Sequence, residues 1–354
     1  MSTMCALTLV GTATVRWDEV PVPAITDPRQ AIVRPIAVAT CDLDIGVLRG
    51  TYPLPGPYPL GHEGVAEVLE VGEDVRTVAV GDRVVVPFQI SCGVCGPCTS
   101  GRTGNCAHVP RMATYGLGQM GGVQWGGLLA DQTLVPYADA MLVPLRARVD
   151  PAAVASASDN IPDGWRAVGP QLAAEPGADV LIVAGTGGTN SIGLYAAGLA
   201  VAAGAGRVVY LDSDAQRLQI ATRLGAEVIE STPGKKVGAF PITVDASGSE
   251  AGLACALNST ASDGTCTSTS VYLSDPRVPM FAMYSRCCTL HTGRAHVRPA
   301  IPEVLQLVAD GSFEPARVTT TEAAWDDAVD ALAEPTMKVV LTRPGAATPW
   351  GKLH

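Results

Sequence analysis

The sequence predicts an α/β protein, β-rich over its first 150 residues and folded after Pro151 into a doubly wound parallel sheet. Three observations carry this. Beyond Pro151, short apolar runs alternate with helical stretches in a β-α-β-α-β order. Before it, Val- and Ile-rich runs are broken by Pro and Gly about every ten residues. The 38 glycines and an aromatic content of only 5% suit tightly packed strand–helix units.

A chain of 354 residues can bury a large core and favours two domains. In the first part, AIVRPIAVAT, EGVAEVLEVG and GDRVVVPF read as strands, and no helix-period pattern of useful length accompanies them. Residues 179–183 (DVLIV) then form a strand, followed by a Gly-rich turn and the small-residue helix SIGLYAAGLAVAAGA. RVVYLD repeats the strand, DAQRLQIATRLGA is an amphipathic helix, and strands follow at 226–230 and 242–246. The chain ends in IPEVLQLVADG and WDDAVDALAEPTMKVVLTR, a helix, a loop, a second helix and a closing strand.

Composition excludes several functions. Hydrophobic residues make up 47% and charged residues 16%, which rules out a disordered chain. The net charge is 24 − 34 = −10 with no basic run, so neither nucleic acid nor an anionic membrane is an expected partner. The longest apolar stretch, Leu194 to Ala205, is short of the ~18–20 residues of a membrane span. MSTMCALTLV has no basic n-region, and a soluble cytoplasmic protein is expected.

Four of the ten cysteines lie together as Cys92-x2-Cys95-x2-Cys98-x7-Cys106. This spacing, with Gly93, Gly96 and Pro97 for tight turns, wraps four sulfurs around one ion in a lobe over residues 91–107. An all-Cys shell leaves no open position on Zn²⁺, so the site is expected to be structural. Cys5, Cys255, Cys266, Cys287 and Cys288 lack such a pattern and are expected to be small core residues.

Between the strand ending at Val183 and its helix runs a loop with Gly185, Gly187, Gly188, Asn190, Ser191 and Gly193. Glycines let the backbone turn and approach a pyrophosphate at the helix N-terminus. The loop is about two residues longer than G-x-G-x-x-G. Asp212 ends the next strand 19 residues after Gly193, where an acid accepts from both ribose hydroxyls and repels a 2′-phosphate, favouring NAD over NADP. Arg217 either reaches the same ribose edge or is a helix-surface residue.

Cys41, the run Gly61-His62-Glu63, and Asp159 are soft or charged groups on strand ends and loops. A catalytic zinc needs three protein ligands and one open position. GHEGVAEVLEVGEDV, the four-cysteine lobe, GDRVVV and SDNIPDGW together resemble the zinc-dependent alcohol dehydrogenases of the medium-chain dehydrogenase/reductase family, over essentially the whole chain.

The resemblance implies a GroES-like β-barrel catalytic domain over 1–155, a Rossmann NAD-binding domain over 156–290, and a return segment over 291–354. It implies one catalytic and one structural zinc, NAD(H), and an alcohol or carbonyl substrate whose oxygen meets zinc in the cleft between the domains. Cys41 and His62 match the first two catalytic ligands, Asp159 the third, and Glu63 a carboxylate that completes the shell or enters during ligand exchange. Asp44 matches the carboxylate that orients the ligating histidine. Ile192 falls where a branched residue backs the nicotinamide. Relatives form dimers or tetramers, so a homodimer or homotetramer is expected.

Ala66 stands at a signature glycine, Asn190 at the third position of the glycine loop, and Asp163 where a Thr is usual. Leu43 is the most consequential departure, because relatives carry there a Ser or Thr that relays the alcohol proton. With Leu43, the proton leaves by water, Asp42, Glu63 or the ribose. The expected function is hydride transfer between NAD(H) and an alcohol or carbonyl. The alternatives are reduction of a C=C or C=N bond, or a non-catalytic NAD-binding zinc protein.

Overall fold

The structure is a computed structural model describing residues 2–11, 14–185, 187 and 189–344. The chain divides into two compact units, Met1–Asp159 with His296–Ala309 and Thr319–His354, and Asn160–Ala295 with Asp310–Val318. The first unit opens with β1 (Thr3–Gly11), β2 (Thr14–Pro21), β3 (Ala31–Ala39), β4 (Tyr58–Pro59), β5 (Glu63–Val71), β6 (Arg83–Val86), β7 (Thr133–Val135) and β8 (Val143–Pro144). The second holds β9 (Val180–Ala184), β10 (Val208–Asp212), β11 (Glu227–Glu230), β12 (Phe240–Ala246), β13 (Thr260–Ser268) and β14 (Thr289–His291). β15 (Thr321–Ala324) and β16 (Val339–Thr342) return to the first.

In the first unit, a seven-stranded sheet of order β15-β16-β3-β5-β6-β8, with β7 also paired to β3, lies with a three-stranded sheet of order β2-β1-β4. β3 is buried at every position but Arg34, as befits a central strand covered on both faces. Pro35, paired with Ala66, stands beside a register shift between Pro35 and Ala37, the kind of bulge at which a strand tolerates proline. Leu7, Val33, Val68, Val84, Leu128, Met141 and Leu341 fill the core between the elements. The helix Val297–Ala309 packs on the 3-10 turn Ala155–Ser158.

The second unit is a six-stranded sheet of order β11-β10-β9-β12-β13-β14, parallel throughout. Strand order reverses between β9 and β12, the place where doubly wound sheets bind ligands. The helix Asn190–Ala202 is buried continuously from Ser191 to Ala200, which explains its small residues. Gly193 permits this approach: a Cβ there would meet the Ala246 Cβ at 3.0 Å. The amphipathic helix is Ala215–Arg223, with Asp214 accepting from the Arg217 N–H at its start.

Several local features differ from the sequence reading. The helix Asp42–Leu48 falls where no helical period is legible, since seven residues are too few to show one. The helix Asn160–Ala174 contains Pro170, which masks it in sequence. Cys255 and Cys266 are buried, but Cys5 and Cys287 are exposed and Cys288 is half-buried. Cys5 points outward from β1, and Cys287 ends the helix Met280–Arg286 in the left-handed region at φ 56°. No helix among the described residues is long and apolar enough to cross a membrane.

Candidate metal and cofactor sites

Cys41 is the N-cap of the helix Asp42–Leu48. Its Sγ accepts from the Leu43 N–H at 3.4 Å, and its own N–H donates to Asp44 Oδ2 at 2.9 Å. This capping box fixes the thiol and turns Asp44 inward together. His62 enters from the turn before β5. Gly61 has φ +91°, and a Cβ on it would lie 2.6 Å from the Leu129 N, so only glycine delivers the imidazole here.

Asp44 Oδ1 faces His62 Nδ1 at 3.5 Å, and Asp159 Oδ2 faces His62 Nε2 at 3.5 Å. Asp159 follows the turn Ala155–Ser158, whose Ser158 Oγ donates to the Gly64 carbonyl at 2.9 Å and accepts the Gly64 N–H at 2.8 Å. One ligand atom from each of Cys41, His62, Glu63 and Asp159 falls within 4.8 Å of the others, and all four residues are buried.

Burial and mutual repulsion govern the charges of this cluster. Burial, then Asp159 and Glu63, push the Cys41 thiol well above its ordinary value. Burial opposes charging His62, yet Asp44 and Asp159 outweigh it and lift the imidazole to about 9. Burial raises Glu63 to about 8 against the pull of Lys338. Glu63 Oε1 is buried without a hydrogen-bond partner. A thiol, an imidazole and two carboxylates that converge with an orphaned oxygen fit a zinc ion.

Cys92, Cys95, Cys98 and Cys106 form the second cluster, their sulfurs within 4.8 Å of one another and all free of disulfides. The Ala107 N–H donates to Cys95 Sγ at 3.3 Å, and with a Cys98 contact it lowers that thiol to about 6. The Cys92 N–H donates to Cys106 Sγ at 3.4 Å. Burial pushes the Cys98 thiol up to about 12 and raises Cys106 as well, so metal binding is what would ionise the whole set; as thiolates the four fit a closed tetrahedral zinc.

Gly185 and Gly187 lie in the loop after β9, whereas Gly188 lies outside the described residues. Asn190, Ser191, Ile192 and Gly193 open the helix behind that loop, with Ile192 buried. The Asn190 Oδ1 is buried without a partner, while Ser191 Oγ donates to Asn160 Oδ1 at 2.9 Å. The structure therefore engages the Ser191 hydroxyl within the chain and brings its backbone to the helix start. Asp212 ends β10 fully buried. Arg217 grips it with Nε at 2.6 Å and Nη2 at 2.7 Å, and the Ser213 and Asp214 N–H groups add bonds of 2.7 and 3.0 Å. Arg217 is thus no solvated surface residue. Asp163 pairs with Arg166, whose Nη2 also donates to the Ser268 carbonyl at 3.2 Å.

Lys338 went unnoticed in the sequence. It is fully buried, with Nζ 3.2 Å from Glu63 Oε2 and donating to the Thr40 carbonyl. The one available signal was a lysine opening an otherwise apolar strand, KVVLT.

Comparison with known proteins agrees with this chemistry. Residues 27–145 match the model of the alcohol dehydrogenase GroES-like domain, and residues 191–310 that of the zinc-binding dehydrogenases. The probable zinc-binding alcohol dehydrogenase of Mycobacterium tuberculosis is 31% identical over 338 residues, which cover 93% of this chain and 85% of the relative. A glutathione-independent formaldehyde dehydrogenase of Pseudomonas aeruginosa is 35% identical over 234 residues, covering 62% of this chain and 57% of that enzyme. The structure of an alcohol dehydrogenase from Thermus sp. ATN1 superposes with a TM-score of 0.82 at 27% identity, covering 96% of this chain and all of that one. With its two metal-ligand clusters and its parallel nucleotide-type sheet, the chain belongs to the zinc-binding alcohol dehydrogenases of the medium-chain dehydrogenase/reductase family.

Proposed function

We propose that this oxidoreductase transfers a hydride between NAD(H) and a small alcohol or carbonyl substrate, with the Cys41 cluster as its catalytic zinc site. The convergence of Cys41, His62, Glu63 and Asp159 carries this reading. In it, Cys41, His62 and Asp159 hold the metal, Glu63 is the fourth ligand or its exchange partner, and Asp44, with Oδ1 3.5 Å from His62 Nδ1, orients the imidazole by its charge. Bound there, zinc supplies a Lewis acid and NAD(H) the hydride donor or acceptor.

The chain's own residues do the rest. The loop with Gly185, Gly187 and Gly188 and the backbone at Asn190, Ser191 and Gly193 receive the pyrophosphate, Ile192 backs the nicotinamide, and Asp212 with Arg217 receives the adenosine ribose. Leu43 offers its N–H to Cys41 Sγ and no hydroxyl, so the substrate proton leaves by water, Asp42, Glu63 or the ribose. Cys92, Cys95, Cys98 and Cys106 hold a structural zinc. The first unit is the GroES-like catalytic domain and the second the cofactor domain. A cytoplasmic homodimer or homotetramer completes the reading.

Zinc per chain, measured by mass spectrometry on wild type and Cys41→Ala, tests it. About two ions falling to about one supports the open site beside a closed tetrathiolate. One ion in both overturns it. A screen of alcohols and aldehydes with NAD(H) then finds the substrate class.

A further inference from the structure

Asp245 ends β12, next to the place where strand order reverses, and its side chain has no exposed surface. Four neutral donors converge on its carboxylate. Oδ1 accepts from the Ser247 N–H at 3.1 Å and the Ser247 hydroxyl at 2.6 Å. Oδ2 accepts from the Ser268 hydroxyl at 2.7 Å and the Tyr272 hydroxyl at 2.8 Å. Among the described residues no Lys or Arg forms an ion pair with it. A buried carboxylate held by neutral donors alone is expensive, and an apolar residue would fill a strand end more cheaply.

Those donors come from two different chain segments. Ser247 belongs to the turn after β12, and Ser268 and Tyr272 to the segment leaving β13. Further bonds join the same segments: the Gly248 N–H donates to Ser270 Oγ at 2.9 Å, and the Tyr272 hydroxyl approaches the Ser249 carbonyl at 3.2 Å. The glycine loop after β9 rests on this assembly. A Cβ on Gly185 would meet the Ser247 carbonyl at 3.1 Å, one on Gly187 the Gly248 carbonyl at 3.8 Å, and the Thr189 and Thr269 hydroxyls bond at 2.8 Å.

In a doubly wound sheet the two strand triplets bind the two halves of a dinucleotide on either side of the reversal. Asp212 lies on the β9–β10–β11 side, and the loops that Asp245 ties lie on the β12–β13–β14 side. We propose that Asp245 is a positioning residue that locks the two loops after β12 and β13 into the wall receiving the nicotinamide half of the cofactor, and rests the glycine loop against it. The proposal depends on the dinucleotide-binding function above. It assigns to Asp245 no contact with the reacting atoms.

Asp245→Asn keeps the size of the side chain but turns one acceptor into a donor, facing hydroxyls of which Ser247 and Tyr272 also approach the Ser249 carbonyl. The test is affinity for NADH by its fluorescence and for ADP by calorimetry, on zinc-loaded protein. ADP occupies only the Asp212 side, so the two probes separate the halves. The expected result is NADH binding weakened about tenfold or more with ADP binding unchanged. A general loss of fold weakens both alike and overturns the proposal, as does a variant that binds both normally. If wild type binds neither NADH nor ADP, the cofactor function itself fails and the proposal with it. Should Asp245→Asn not fold, Tyr272→Phe removes one donor from the same carboxylate and decides by the same split, with a loss of about threefold to tenfold in NADH affinity alone.

Discussion

Lys338 Nζ stands 3.2 Å from Glu63 Oε2, and neither side chain has any exposed surface. Its second bond, to the carbonyl of Thr40, ties the same ammonium to the residue before Cys41. One buried cation thus braces two of the strand ends that bring candidate metal ligands together. Replacing Lys338 by Met strips Glu63 of this partner while leaving the carboxylate buried, at a cost of about 3 kcal/mol. Burial already raises Glu63 to about 8, so its acid form is the stable one below that pH and the deficit widens as pH climbs past it. Urea unfolding of the variant across this range is the measurement. Adding Glu63→Gln is expected to return part of the loss, and wild-type stability in the single variant contradicts the pair's role.

Zinc entering the Cys41 site must displace protons. His62 is lifted to about 9 and the Cys41 thiol lies well above its ordinary value, so both hold protons at neutral pH in the absence of the metal. Zinc takes a neutral imidazole and a thiolate. Its affinity therefore falls as pH falls, by about tenfold per pH unit for each proton released. Chelator competition between about pH 6 and 8 measures this slope, and an affinity that stays flat over that window contradicts the assigned ligand set.

What the sequence could reveal followed from how far apart the cooperating residues lie. The four cysteines occupy fifteen consecutive positions, 92–106, so spacing alone describes their cluster. The βαβ order and the place of Asp212 at the end of β10 follow equally from local pattern. Cys41, His62 and Asp159 were reached through family resemblance, since 118 residues separate the first from the last (159 − 41) and no period links them. Lys338 lies 275 residues from Glu63, and only the pairing of β16 with β3 brings it there. The helix that starts at Cys41 was hidden because its capping box, Cys41 with Asp44, reads in sequence as a ligand beside two acids.

Asp212 gives its carboxylate to Arg217 in a two-point grip at the end of β10. Asp212→Ala is expected to weaken NADH by about tenfold and to reduce the discrimination against NADPH, because the repelling charge goes and the guanidinium is freed. Arg217→Ala leaves the buried acid without its cation and is expected to lower stability more than Asp212→Ala does. Titrations with the two reduced cofactors, followed by fluorescence, provide the ratio. An unchanged ratio in Asp212→Ala removes Asp212 from cofactor selection.

Ser158 links two candidate ligands without being one. Its hydroxyl donates to the Gly64 carbonyl and accepts the Gly64 N–H, so the residue before Asp159 is bonded twice to the residue after Glu63. The two carboxylates are thereby held at a fixed spacing across the cluster. Ser158→Ala leaves the Gly64 N–H without this buried acceptor and costs about 1–3 kcal/mol. The larger effect falls on the metal, since Asp159 loses the tether that sets its distance from His62. Zinc release to a chelator is expected to show two phases, one from the Cys41 site and one from the tetrathiolate. Ser158→Ala should speed the first by about tenfold and leave the second unchanged, because the Cys92 lobe shares no bond with Ser158. Equal acceleration of both phases means a general loosening of the fold, and no acceleration means that Asp159 does not depend on this hydroxyl.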